Sequence, residues 1–291
     1  MQFQRLIMAD WSAANSPGPL RPRKDRCWVG RLDAGEIEPT LAYCRTRADA
    51  LAQIEVWTAE VKGSSKTLIG FDFPFGYPDG CGLSGGRALC QLLGEKITDD
   101  DRDRNNRFQV AGALNQSLNP GGEGPFGGRP ASRPVSGVQT TKPKPWPAHI
   151  PEFRIVELGL KGNGIQSVWK LAYPASVGSQ VLMGMSAIGR MLEHPTFAPA
   201  KLWPFETDWA DDLGPITIAE IWPNLFFPDL RNEPRVAQYA IRDAGQIAAT
   251  LLGLQSADRD GRIAAMLAPQ QALSDEQRQA AIACEGWIVG V

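Results

Sequence analysis

Three short runs in this chain are apolar on almost every residue, and each ends in a carboxylate. Leu6-Ile7-Met8-Ala9 stops at Asp10, Leu68-Ile69-Gly70-Phe71 at Asp72, and Ile216-Thr217-Ile218-Ala219 at Glu220. A strand that shows apolar side chains to both sides belongs in the middle of a sheet with helices covering each face. The runs therefore predict an α/β protein. In open sheets of that kind ligands collect just beyond the carboxyl ends of the strands, which is where these acids fall.

The remaining elements follow from periodicity and turn chemistry. Cys27 to Leu32 and Thr40 to Cys44 read as strands joined by Asp33-Ala34-Gly35-Glu36, and with residues 4–10 they form a meander. Arg47 to Lys62 reads as a helix with Leu51, Ile54 and Val61 on one face, before a strand from Thr67 to Phe73. From Gly76 to about Pro151 the character changes. Asn119-Pro120-Gly121-Gly122 and Gly127-Gly128-Arg129-Pro130 mark a long excursion, partly mobile and too poor in apolar residues to form a domain alone. Phe153 to Leu158 reads as a return to strand, and Ser179 to Leu192 as a helix. Ile216 to Trp222 is a buried strand, Arg235 to Leu254 a long helix, and two shorter helices follow. The expectation is one α/β domain over residues 1–291. It has a mixed five-stranded sheet, helices on both faces, and a Gly/Pro-rich, basic insertion at about 76–200.

Bulk properties remove several function classes. A formal net charge of −2 and a pI near 5.8 do not suit a protein that coats nucleic acid or an anionic membrane. No apolar run approaches membrane-spanning length, and the start lacks a signal-peptide pattern. The five cysteines are an odd number without a C-x-x-C pair, and read as free thiols of a reducing, cytoplasmic compartment. His149 and His194 both lie beside prolines in loops, which disfavours a histidine triad or zinc site. No phosphate-binding Gly-rich loop follows a strand.

A fourth acid joins the three strand-end carboxylates. In the predicted late helix Val236, Ala240, Asp243, Ile247, Leu251 and Leu254 share one face, so Asp243 points with the core-facing residues. Buried carboxylates are costly without a cationic partner, and four of them, Asp10, Asp72, Glu220 and Asp243, call for one. Hard oxygen donors suit Mg²⁺ or Mn²⁺ together with the phosphate oxygens of a substrate. In that reading Asp10, Asp72, Glu220 and Asp243 are the metal ligands and catalytic residues of a phosphodiester-cleaving site. The plainer alternatives are helix capping by a strand-end Asp and pairing of Glu220 with an arginine.

Short blocks at both ends of the chain carry a resemblance: Asp10-Trp11-Ser12-Ala13, Gly70-Phe71-Asp72-Phe73-Pro74-Phe75-Gly76, Arg154-Ile155-Val156-Glu157, Gly178-Ser179-Gln180, Ala219-Glu220-Ile221-Trp222-Pro223 and Arg242-Asp243-Ala244. In this order they resemble the ribonuclease H-like domain family of unknown function numbered 429, in a divergent bacterial branch. The resemblance implies a ribonuclease H-like fold whose acids resemble the metal-binding set of Holliday-junction resolvases and related nucleases. The long segment after Pro74 has no counterpart in ribonuclease H itself.

Substrate contacts are expected from the basic part of the insertion. Between Arg129 and Lys170 there are seven Lys or Arg residues against Glu152 and Glu157, and a phosphate-bearing substrate such as nucleic acid or a nucleotide would need such charge. Arg154 and Lys170 are the best individual candidates, and Trp146 and Trp169 could stack on bases. Ser179 and Gln180 sit where a helix begins and could receive an anion, although capping by Ser179 is the simpler role. The leading reading is a divalent-metal-dependent phosphodiesterase or nuclease. Its rivals are an actin-like phosphotransferase or ATPase, with Ser12 near phosphate, and a non-catalytic binding protein that retains the fold.

Overall fold

The computed structural model describes residues 2–291 apart from 62, 161–164, 174, 175, 211 and 227–233; of 235 and 236 only the backbone is described. The expected helix end at Lys62, the basic residue Lys161 and the side chain of Val236 lie outside the described residues.

The chain opens with the antiparallel meander β1 (Arg5–Asp10), β2 (Cys27–Asp33) and β3 (Thr40–Cys44). Helix α1 (Arg47–Ala59) follows. Thr46 caps it by accepting from the Asp49 amide, and Asp49 in return accepts the Thr46 amide. β4 (Thr67–Phe71) then runs parallel to β1. Next come α2 (Gly86–Lys96), α3 (Arg107–Leu118), α4 (Ile155–Gly159) and α5 (Gly178–Leu192), then the short strand β5 (Ala200–Leu202) and β6 (Ile216–Glu220). The chain closes with α6 (Pro234–Ala237), α7 (Arg242–Arg259), α8 (Ile263–Met266), α9 (Asp275–Ala280) and a π-helical turn at Ala281–Glu285. The sheet has six strands in the order β3-β2-β1-β4-β6-β5. It is α/β and mixed, with parallel pairing from β1 through β4 and β6 to β5.

Period-2 alternation divides the core between the two faces. Ile7, Ala9, Ile69, Phe71, Ile216 and Ile218 pack with α1, α2, α3 and α5. Leu6, Met8, Leu68 and Ala219 pack on the other side with Ile247, Leu251 and Leu254 of α7 and with Trp203, Trp209 and Trp287. Helix α7 lies so close over β2 that a Cβ on Gly30 would overlap Ile247. Among the described residues no helix is long and apolar enough to cross a membrane.

Three expectations require correction. The sheet has six strands, not five, because β5 adds three residues at its edge. Phe153 to Leu158 is no strand: α4 begins at Ile155, where Glu157 accepts the Arg154 amide at 3.0 Å and the two side chains form a buried ion pair at 2.8 Å. Within the Gly-rich excursion, α2 and α3 bury Leu89, Leu93, Phe108 and Leu114 in the core that backs β1 and β4. Its apolar residues are diluted by Gly and Asn in sequence and collect only when the helices pack. Finally, the long helix over 235–254 is interrupted. α7 starts at Arg242, so Asp243 occupies a first helical turn, where the dipole favours a carboxylate.

Candidate functional site

The strand register decides which acids meet. β1 and β4 pair in parallel with Ala9 level with Phe71, so Asp10 and Asp72, the next residue of each, leave the sheet side by side. Both follow the Leu6–Met8 and Leu68–Gly70 rows and so face α7. Asp72 is held by the Trp11 amide, which donates to its Oδ1 at 2.8 Å. The two carboxyls lie close enough that each acts on the ionisation of the other. Burial, followed by the charges of Asp72 and Asp243, holds the Asp10 carboxyl well above the usual carboxylate range. Burial likewise raises Asp72, to about 6, against the opposing Trp11 hydrogen bond. Two carboxyls buried side by side in this way resist ionising together.

Asp243 approaches from α7 and accepts the Asp25 amide at 2.7 Å. Burial raises its pKa, and its charge acts on both Asp10 and Asp72. Asp25 is held in the left-handed region, φ 58°, a conformation uncommon outside glycine that here aims its amide at Asp243.

Glu220 behaves differently. It pairs level with Phe71, one residue short of Asp72, and so belongs to the opposite side of the sheet. Both of its oxygens take the Arg154 guanidinium at 2.7 Å, and Oε2 also accepts the Phe75 amide at 2.9 Å. Arg154 is fully buried, and its remaining donors go to Glu157 and to the Glu285 carbonyl. The structure thus places Glu220 and Arg154, one expected to hold metal and the other substrate, in a buried ion-pair network in which one guanidinium serves both Glu157 and Glu220. This is the arginine pairing that the sequence left open for Glu220.

A cleft of about 680 Å³ opens over the strand ends. It is lined by Asp10, Asp72 and Asp243, by Glu220 and Arg154, and by Ser179 and Gln180. Gln180 donates to the Trp11 carbonyl at 2.7 Å, which ties the start of α5 to the loop after β1. Ser179 does not cap the helix, because α5 starts one residue earlier with Val177 at the cap position. Its hydroxyl donates to the Leu171 carbonyl at 2.5 Å and accepts from Arg107 at 3.0 Å. Lys170 is not part of this cleft; it lines a neighbouring pocket, where its ammonium donates to Gln166 at 2.9 Å.

Arg107 is the cleft residue that sequence reasoning missed. It opens α3, lies over the Phe108 ring at 4.5 Å, and donates to Ser179 and to Asn105. Among the described residues no carboxylate lies within 4.0 Å of it. Burial and then the charges of Arg47 and Arg133 lower its pKa to about 10. The signal was the charged run Arg102-Asp103-Arg104-Asn105-Asn106-Arg107, which lies before the basic stretch that composition highlighted.

Among the described residues no group of three or more His, Cys, Asp or Glu side chains is arranged to hold a metal ion. The donor set on offer is the facing Asp10–Asp72 pair. Mg²⁺ commonly takes one or two protein carboxylates and fills its shell with water and substrate phosphate, and such a pair fits that use. No protein-family model, no curated protein and no solved structure matches the chain.

Proposed function

We propose that the chain is a divalent-metal-dependent phosphodiesterase or nuclease with a ribonuclease H-like fold, acting on nucleic acid or a nucleotide. The observation that carries this reading is the Asp10–Asp72 pair. Two carboxyls leave the ends of neighbouring parallel strands side by side, with their charge suppressed first by burial and then by repulsion from neighbouring carboxylates, Asp72 and Asp243 on Asp10 and Asp243 on Asp72. A cation relieves that repulsion. Bound Mg²⁺ or Mn²⁺ would supply the positive charge that draws a phosphate oxygen and acidifies a water. The protein's own residues have separable roles. Asp10 and Asp72 hold the ion, and Asp243 adds negative charge from α7. Arg107, the partly buried guanidinium on the far wall, takes a phosphate oxygen as its counter-charge. The strand order supports the fold assignment: an antiparallel meander whose first strand continues into parallel neighbours.

Calorimetric titration of Mn²⁺ into wild type and Asp10→Asn tests the metal site. Wild type is expected to bind and the variant to lose the heat signal; equal behaviour of the two removes the proposal. Cleavage of single-stranded, duplex and branched oligonucleotides in Mn²⁺ then tests the chemistry. Asp72→Asn should lower any rate found by about a hundredfold or more. Activity that survives that substitution belongs to another site.

A further inference from the structure

A second pocket, of about 500 Å³, adjoins the acidic cleft and shares Ile165 and Gln166 with it as a common wall. Its lining includes the aromatic rings of Trp146, Tyr173 and the buried Trp169, set among glycine, proline and polar residues, and also Lys142. Its size lies within the usual range for small-molecule sites. Each ring is pinned by its polar tip. Trp146 donates to the Ile150 carbonyl at 2.7 Å and Trp169 to the Pro151 carbonyl at 3.1 Å. Tyr173 donates to the Thr140 carbonyl at 3.2 Å. Trp169 is further fixed from behind by Tyr77, stacked at 4.7 Å, and by the edge contact with Phe126 at 4.9 Å.

Tyr173 is the informative member. It is 53% exposed and held at φ 79°, a left-handed backbone that costs a bulky residue energy. Neither feature serves the core, since Tyr173 is not buried there. Lys142 sits 5.1 Å over the Trp146 ring and is paired with Glu152 at 2.6 Å, so the pocket's mouth carries an ordered cation. Aromatic walls that are already immobile lose little freedom when a flat ring enters.

We propose that this pocket receives the nucleobase of a nucleotide or of a strand end whose phosphate lies in the adjoining acidic cleft. Every base has a flat face for such walls, so the pocket accepts bases by stacking and adds little sequence preference. The choice of a nucleobase as the flat ring rests on the phosphodiesterase reading of the neighbouring cleft, whereas the pocket can be tested without it.

The test is calorimetry on the full chain without divalent metal, using adenosine, guanosine, cytidine, uridine and, as a non-base control, indole. Wild type, Trp146→Ala and Tyr173→Ala are compared. At least one nucleoside is expected to bind wild type more tightly than indole does. Trp146→Ala and Tyr173→Ala should each weaken that binding about tenfold. Tyr173→Ala removes an exposed side chain, so it reports on the pocket even where Trp146→Ala disturbs folding. The proposal is overturned if no nucleoside binds at millimolar concentration, if indole binds as well as all four, or if Tyr173→Ala binds like wild type. Nucleoside binding without Mn²⁺ binding would keep this pocket and remove the phosphodiesterase reading, and the reverse result would do the opposite.

Discussion

Asp72 sits one residue beyond β4 with its carboxyl raised to about 6 by burial, next to an Asp10 that burial raises further. An acid whose folded pKa exceeds its unfolded value binds its proton more tightly when folded. The stability this contributes is fully present below the unfolded value near 4 and is lost as the pH rises through about 6. For Asp72 the displacement corresponds to on the order of 3 kcal/mol. Metal-free protein should therefore gain thermal stability as the pH falls from 7 to 5, and Asp72→Asn should show a flatter slope over that window. Thermal melts at several pH values, in chelator, measure the difference. Identical slopes would mean that the pair does not carry this proton. The carboxylates could be picked out in the sequence because each closed an apolar row. Their effect on each other could not, because it depends on the pairing of two strands far apart in the chain.

At the scale of elements, register and close approach do the sorting. A single-residue offset between Asp72 and Glu220 across β4 and β6 sends the two acids to opposite faces, and no inspection of either strand alone reveals that offset. The π-helical turn at the C-terminus acts as a clamp. Glu285 accepts the Asp79 amide at 2.8 Å and the Ile155 amide at 2.6 Å, while Gly76 and Gly85 press against the Cys284 backbone. A methyl group at either glycine would overlap the Cys284 carbonyl oxygen. Gly76→Ala should therefore cost about 1–3 kcal/mol, read as a shift in the denaturant midpoint at unchanged slope. A neutral result would show that the turn can move away. The expected strand at Phe153–Leu158 failed at this scale too. Its apolar pattern is too short to separate strand from helix, and the Arg154–Glu157 pair three residues apart favours the helix.

Across the whole molecule, two buried arginines bind distant segments together. Arg47 joins α1 to Asp99 of the insertion at its guanidinium and to the Ser12 and Ala14 carbonyls beside the cleft. Arg154 joins the end of the insertion to β6 through Glu220 and to the C-terminal turn through the Glu285 carbonyl. Removing one member of such a network strands the remaining charges in a dry interior. Arg154→Met should destabilise the fold by about 3–5 kcal/mol by chemical denaturation. Pairing it with Glu157→Gln and Glu220→Gln should recover much of that loss, because the triple variant also removes the two carboxylates that Arg154 pairs. Failure of the recovery would assign the cost to packing around Arg154.

The α/β class, the meander, the central strands and the two-sided helical cover were all legible in the sequence, because alternation and apolar runs are local properties of the chain. So was the position of Asp10 and Asp72 at strand ends. The partners of those acids were decided by the tertiary structure. Strand register set Asp10 against Asp72 and turned Glu220 toward Arg154, and packing of the Gly-rich insertion brought Arg107 and the aromatic pocket to the cleft. Pairings between residues more than fifty positions apart leave no periodic trace in sequence. They arise only when the sheet closes and buried charge must find its counter-charge.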